Sequence, residues 1–307
     1  MAAIMSYRHS GKLGPAAIPY ALGAGLVAAG ALAWIYQAVL DWIPFIYLNI
    51  LATAGYGIAI GAAAGFAFRA GRGRNVPVAI AIAIVSCLAG DALSFHFAYE
   101  RALAKAAEEL GPEAAENAEV RQAMREAVPF RDYIDARVED GVTVGRSGGG
   151  LRLTGILMWL VWIAEAGILG VVAAGAQIFL LGMPFCEACD RFTEKRALGS
   201  IASVKPSALA AARGKGDVAV LLDPPQEEHG RKHATYTLHA CPTCDNRYLT
   251  LALEWTERGK KGKDEKKTEA VVQNAIVTPE QVEALQARLR GRPPAPEGPA
   301  TGTPAAR

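Results

Sequence analysis

Residues 153–189 decide the fold of this chain, and they read LTGILMWLVWIAEAGILGVVAAGAQIFLLGMPFCEAC. The first 29 positions, 153–181, carry a single charged residue, Glu165, and are long enough to cross a bilayer as a helix. Cys186 and Cys189 follow, the first of them only five residues after Leu181. The stretch therefore predicts a membrane span that leads directly into a cysteine-containing module.

Three further apolar runs precede this one. Residues 18–40 and 43–68 carry no charge, and residues 76–99 carry only Asp91. Each run is long enough to span a bilayer, so four transmembrane helices are predicted. A cleaved signal peptide is the alternative for the first run, but the length of that run and the tight turn at 41–44 favour a retained helical hairpin.

Basic residues set the predicted orientation. Two precede the first span and three connect the second span to the third, without acidic neighbours: Arg8, Lys12, Arg69, Arg72 and Arg74. Because such residues favour the cytoplasmic side, both termini are predicted to be cytoplasmic. The pattern is typical of a multi-pass protein of a bacterial inner membrane, with the lipid bilayer as its surroundings.

The predicted fold class is an α-helical integral membrane protein, a four-helix bundle, with a C-terminal α+β domain that carries the cysteines. The predicted parts are a cytoplasmic N-terminus (1–17), three spans (18–99), an extracytoplasmic helical segment (100–150), the fourth span (151–182), the cytoplasmic domain (183–291) and a disordered tail (292–307).

Apolar alternation in the C-terminal domain predicts short strands. They fall at 217–222, 234–240, 248–255 and 270–277, with a helix at 203–213 between the first two cysteines and the last two. A final helix should begin at Thr278, because a Thr cap, Pro279 and Gln281 form the pattern of a capping box.

The cysteines form two Cys-x-x-Cys units, Cys186/Cys189 and Cys241/Cys244. In the reducing cytoplasm they are not expected to form disulfides. Four thiolates instead suit one tetrahedral metal ion, and structural Zn²⁺ is the predicted cofactor, with iron or a thiol redox pair as the alternatives. His229, His233 and His239 lie upstream of the second unit and are predicted to be surface or packing residues, since four cysteines already complete a tetrahedron.

The second unit lies between two alternating apolar runs, as a knuckle lies between two strands. This arrangement resembles half of a zinc ribbon, and the first unit resembles the other knuckle. The resemblance covers only the four cysteines and the flanking hairpin, and it implies a metal held by Cys186, Cys189, Cys241 and Cys244. The chain departs from compact ribbons in its spacing, because 51 residues separate Cys189 from Cys241.

Small residues recur at helical spacing within the spans. Gly57, Gly61 and Gly65 form two overlapping Gly-x-x-x-Gly units, a pattern that lets helix backbones approach closely. This stripe predicts tight helix packing, within one bundle or within a homo-oligomer.

Asp91 and Glu165 are the only charged residues inside the predicted spans. At about 1.5 Å per residue they lie at a similar depth, toward the outer half of the bilayer. Charged groups at such depth are often functional, which makes the two carboxylates a candidate proton or cation site. The competing interpretation is that hydrogen bonds to backbone or hydroxyl groups make them a lock between helices.

The function that these features favour is a membrane-anchored scaffold or adaptor, whose zinc-containing domain binds a cytoplasmic protein. The alternative is a small transporter, or a proton- or cation-handling subunit, that uses Asp91 and Glu165. No recognisable catalytic motif points to an enzyme, and no catalytic residue is predicted. Nucleic acid is not an expected partner, since the charged loop at 260–267 mixes both signs.

Overall fold

A computed structural model describes residues 5–42, 46–144, 151–228, 230–258 and 263–291 of the chain. The described residues between 10 and 182 form one compact unit, and those within 1–9 and 183–307 form the other. The predicted tail at 292–307 lies outside the described residues, as do residues 145–150 of the predicted extracytoplasmic segment.

The first unit is helical. Its elements are α1 (Ala17–Trp42), α2 (Ile46–Ala70), α3 (Val76–Glu109), α4 (Pro112–Glu116), α5 (Ala118–Ala127), α6 (Phe130–Asp140), the short hairpin β1 (Val142–Val144) and β2 (Leu151–Leu153), and α7 (Ile156–Leu181). The helices α1 and α7 each pack against both α2 and α3.

Four of these helices, α1, α2, α3 and α7, are long and apolar enough to cross a membrane. Their outer surfaces expose large apolar side chains, among them Val27, Leu51, Val171 and Phe179, the last of which is 83% exposed. Side chains of this kind over whole helix faces are costly in water and favourable in lipid. The four predicted spans thus correspond to four helices with the length and surface of membrane helices.

The third apolar run and the helical residues predicted after it form one continuous helix. The helix α3 does not end near Tyr99 but continues to Glu109, because the Ala-, Glu- and Lys-rich residues after the apolar run are themselves good helix formers. The break comes at Gly111, whose φ of 119° does not suit a helix. Asn117 then caps α5 by accepting a hydrogen bond from the backbone N–H of Glu119.

The glycine stripe of α2 lies directly against α7. A Cβ added to Gly61 would lie 2.9 Å from the Cα of Ala173, and one added to Gly57 would lie 2.6 Å from Val172. Close to Gly61, the amide of Gln177 is fully buried and donates to the Gly61 carbonyl oxygen at 2.5 Å. The absence of side chains on α2 therefore sets the distance between the two helices.

Replacing Gly61 with Val should force α2 and α7 apart, at a cost of roughly 1–3 kcal/mol. The matched control is Gly55→Val on the same helix, where an added Cβ meets no atom within 4 Å. Thermal unfolding of the detergent-purified variants measures the difference, and equal midpoints for the two would contradict the packing role of Gly61.

The second unit contains a four-stranded antiparallel sheet in the order β5-β6-β7-β8. Its elements are β3 (Phe185–Cys186), β4 (Arg191–Phe192), β5 (Glu194–Ile201), α8 (Pro206–Lys215), α9 (Val218–Leu222), β6 (His233–Ala240), β7 (Arg247–Arg258), β8 (Asp264–Val277) and α10 (Pro279–Arg290). One face of the sheet forms the core with the helices, through buried residues such as Leu209, Leu221, Tyr236, Leu251 and Leu285.

Three of the four predicted strands are present, and the strand predicted at 217–222 is wrong. That segment forms α9, because the Asp217 side chain accepts a hydrogen bond from the Val220 N–H and caps a helical turn. The Tyr236 hydroxyl donates to the Leu221 carbonyl oxygen at 2.9 Å and holds the turn against the sheet. The capping box predicted at Thr278 and Gln281 is present at the start of α10.

A short N-terminal segment extends the sheet beyond β8. The N–H of Tyr7 donates to the Asn274 carbonyl oxygen, and the N–H of Ile276 donates to the Met5 carbonyl oxygen, both at 2.9 Å. The Tyr7 ring also contacts the Tyr248 ring edge-on, with centroids 5.1 Å apart. The described residues of this segment therefore belong to the same compact unit as the sheet.

Substituting Tyr7 with Pro removes the donor to Asn274 and the contact with Tyr248. We expect this change to destabilise the edge of the sheet by about 2 kcal/mol, from one hydrogen bond and one aromatic pair. Hydrogen exchange at β8 in the full-length protein should accelerate by about 30-fold. Tyr7→Phe keeps the ring and the N–H and serves as the control; unchanged exchange in the Pro variant would show that the segment is not part of the sheet.

Candidate metal centre

The first cysteine pair lies on a very short hairpin. The strands β3 and β4 have two residues each and pair Phe185 with Phe192 and Cys186 with Arg191. The hairpin is closed by Thr193, whose N–H and hydroxyl both donate to the Pro184 carbonyl oxygen, at 3.0 and 2.8 Å. A ladder of this length is not stable in water by itself, so its position depends on contacts with the rest of the unit.

The second cysteine pair lies in the turn between β6 and β7. This turn begins where the two strands pair at Ala240 and Arg247. The Cys241 N–H donates to the Asn246 carbonyl oxygen at 3.0 Å and closes the turn across the two cysteines. The two strands inferred from the sequence on either side of the second cysteine pair are therefore present.

The tertiary structure brings the four sulfurs together. The Sγ atoms of Cys186, Cys189, Cys241 and Cys244 all lie within 4.8 Å of one another, and those of Cys186 and Cys244 are 3.5 Å apart. Sulfurs on a tetrahedral zinc ion at about 2.3 Å would be separated by roughly 3.8 Å. The cluster therefore has the ligand number and the spacing that one metal ion requires.

Hydrogen bonds perturb the thiols of the second pair in opposite directions. Burial opposes ionisation of Cys241, but the backbone N–H groups of Thr243 and Cys244 and the Thr243 hydroxyl lower its pKa to about 6. At Cys244 the N–H of Asn246 lowers the pKa, but the neighbouring sulfurs of Cys189 and Cys186 outweigh it and raise the pKa to about 12. These opposite shifts make Cys241 easier to ionise than Cys244.

Metal binding must displace the thiol protons that remain, so the affinity should rise with pH. Because Cys241 is already ionised above about pH 6 and Cys244 is not, we expect about a tenfold gain in affinity per pH unit for each proton displaced. Competition with a chromophoric chelator between about pH 6 and pH 8 measures this dependence. Cys87→Ser is the control with an unchanged slope, and a pH-independent affinity would contradict the raised pKa of Cys244.

Among the described residues, the cluster contains the four cysteines and neither His233 nor His239. His239 is buried in β6, on the strand face opposite Leu238, and it opposes Tyr248 of β7. Burial, followed by the charge of Lys195, lowers the pKa of His239, so the ring is neutral near pH 7. His229 lies outside the described residues.

The two carboxylates of the apolar helices differ in their partners. Glu165 accepts a hydrogen bond from the Tyr36 hydroxyl on α1, and the Thr53 hydroxyl on α2 lies 3.4 Å from the same carboxylate oxygen. The Thr53 hydroxyl also lies 2.8 Å from the Tyr36 hydroxyl and 2.9 Å from the Asn49 carbonyl oxygen, so its one proton serves only one of these acceptors at a time. Asp91 on α3 is close enough to Glu165 for the two carboxylates to interact electrostatically. Glu165 therefore links three helices through hydroxyl groups.

Tyr36 and Thr53 were not found by sequence reasoning. A tyrosine or a threonine in an apolar run is compatible with many surroundings, and no spacing rule connects positions on three helices. The only available signal was that an intramembrane carboxylate needs a donor. The positions of the donors depend on how the helices are rotated.

Comparison with family models, with curated proteins and with solved structures found no match to this chain.

Proposed function

We propose that this protein is a membrane-anchored scaffold or adaptor, in which a structural zinc ion maintains a cytoplasmic domain that binds a partner protein. The observation that carries the proposal is the clustering of four cysteine sulfurs within 4.8 Å, supplied by two segments that are 51 residues apart in the chain. Four thiolates leave no coordination position for water or a substrate, which is the character of a structural site rather than a catalytic one.

The surroundings of the cluster support a role in folding. Cys186 and Cys241 are buried, and Cys186 belongs to a hairpin too short to be stable alone. A metal that joins this hairpin to the β6–β7 turn contributes its binding energy to the folded unit. The hairpin follows α7 after only a few residues, so the metal also defines where the folded domain begins.

The basic residues around the apolar helices support a cytoplasmic position for this domain. In that compartment the thiols remain reduced and available to a metal. The partner is then a cytoplasmic protein, and the anchor restricts the encounter to the membrane surface of a bacterial cell. A homo-oligomer is compatible with this proposal but is not required by it.

Proton or cation handling by Asp91 and Glu165 is the second candidate. The electrostatic interaction between the two carboxylates favours it. The Tyr36 hydroxyl, which donates to Glu165, favours the structural alternative, because a carboxyl group with such a donor is stabilised where it is. We place the adaptor function first for this reason.

One experiment separates the two candidates. Full-length protein is cross-linked in membranes and purified, and both its zinc content and its cross-linked partners are measured for wild type, Cys241→Ser and Asp91→Asn. We expect Cys241→Ser to lower zinc content and the yield of partner about tenfold or more, as loss of a ligand requires. Asp91→Asn should retain both.

The matched control is Cys87→Ser, which removes a buried cysteine that is not in the cluster. A partner set that survives the loss of zinc would contradict the adaptor proposal. Loss of proton or cation flux in Asp91→Asn or Glu165→Gln proteoliposomes, with zinc content unchanged, would establish the second candidate instead.

A further inference from the structure

Asn246 contacts the cysteine cluster at three points. Its side-chain Nδ2 donates to the Cys186 sulfur at 3.1 Å. Its carbonyl oxygen accepts from the Cys241 N–H at 3.0 Å, and its own N–H donates to the Cys244 sulfur. One residue thus touches three of the four cysteines, and only the side-chain bond reaches across to the first pair.

The first cysteine pair has less support from backbone hydrogen bonds than the second. The turn between β6 and β7 is held by a long ladder in which eight residue pairs align, from His233 and Glu254 to Ala240 and Arg247. The hairpin that carries Cys186 has only two aligned pairs. Its sulfur is buried, so water does not supply a donor to it.

The negative charge of a four-thiolate metal centre is a second reason for a hydrogen bond to the Cys186 sulfur. Four thiolates around a divalent ion leave a net charge of about −2 on the centre. Hydrogen bonds from N–H groups to the sulfurs offset part of this charge and orient the ligand lone pairs toward the metal. The second pair receives such bonds from the backbone N–H groups of Thr243, Cys244 and Asn246. Cys186 receives its bond from the Asn246 side chain.

We propose that Asn246 is a positioning residue of the metal centre, whose side-chain amide orients the Cys186 sulfur and thereby joins the distant first cysteine pair to the second. This inference rests on the metal centre of the proposed function but not on the partner protein. It assigns a specific role to a residue that follows the second Cys-x-x-Cys unit and that carries no metal-ligating atom of its own in the cluster.

Two nearly isosteric variants test the side chain, since the backbone bonds of residue 246 survive in both. Asn246→Leu removes the donor, and Asn246→Asp replaces it with an acceptor that also repels the thiolates. The control is Asp245→Asn, because the Asp245 side chain is exposed and pairs with Arg247 rather than with a sulfur. All are made in the full-length protein and purified in detergent.

Two readouts are used. Competition with a chromophoric chelator should show a 10- to 100-fold loss of zinc affinity in Asn246→Leu, and a larger loss in Asn246→Asp, as is typical when a group that orients a ligand is removed. In the cobalt-substituted protein, the thiolate-to-cobalt charge-transfer band should shift in both variants. That band reports electron density on the sulfurs, which a general loss of stability does not change. Asp245→Asn should match wild type in both.

The outcomes distinguish the two proposals. Wild-type affinity and an unshifted band in Asn246→Leu would overturn the role of Asn246, and if that variant does not fold, the same result in Asn246→Asp would do so. A wild-type protein that binds neither zinc nor cobalt stoichiometrically would overturn both this role and the proposed function. Altered affinity and spectrum together with no zinc-dependent partner would uphold Asn246 and leave the adaptor proposal refuted.

Discussion

In the C-terminal unit, four sulfur atoms from two distant segments of the chain converge on one place. The β3–β4 hairpin has too few backbone hydrogen bonds to hold a position alone, whereas the turn between β6 and β7 is supported by a long antiparallel ladder. The cysteine cluster, with the amide of Asn246 beside it, connects the weak element to the strong one. The start of the folded domain, immediately after the last apolar helix, is defined by this connection.

The two units are stabilised by different physics. In the C-terminal unit, burial of apolar side chains between one face of the sheet and its helices removes them from water. In the helical unit, many large apolar side chains face outward, and the interior combines small residues with buried Ile60, Phe68 and Leu169. Where glycines of α2 meet α7, the helices are held by close backbone contact. Polar groups there are few, and the hydroxyls around Glu165 and the amide of Gln177 bond across helices.

The Met5–Tyr7 segment pairs with a strand that lies far away in the sequence. The segment bonds to β8 at Asn274, whose φ of 53° marks a local irregularity in the strand. The Thr250 hydroxyl contacts both the side chain and the N–H of Asn274. The sequence carried no sign of this contact, since three residues are too few for a periodic pattern and the pairing depends on an edge formed about 270 residues later. The strand β5 was not predicted from the sequence either, because its exposed polar residues give no alternating apolar pattern.

The sequence by itself determined the features that arise from local chemistry. These are the four apolar helices, the capping box at Thr278, most strands of the sheet, and the inventory of four thiols suited to one metal ion. Only the tertiary structure decided which groups meet: Asn246 with Cys186, Tyr36 and Thr53 with Glu165, and Gly61 with Ala173. The physical reason is that apolar length and cap geometry are properties of neighbouring residues. Contacts between distant residues depend on the rotation and register of whole elements, which many side chains set together.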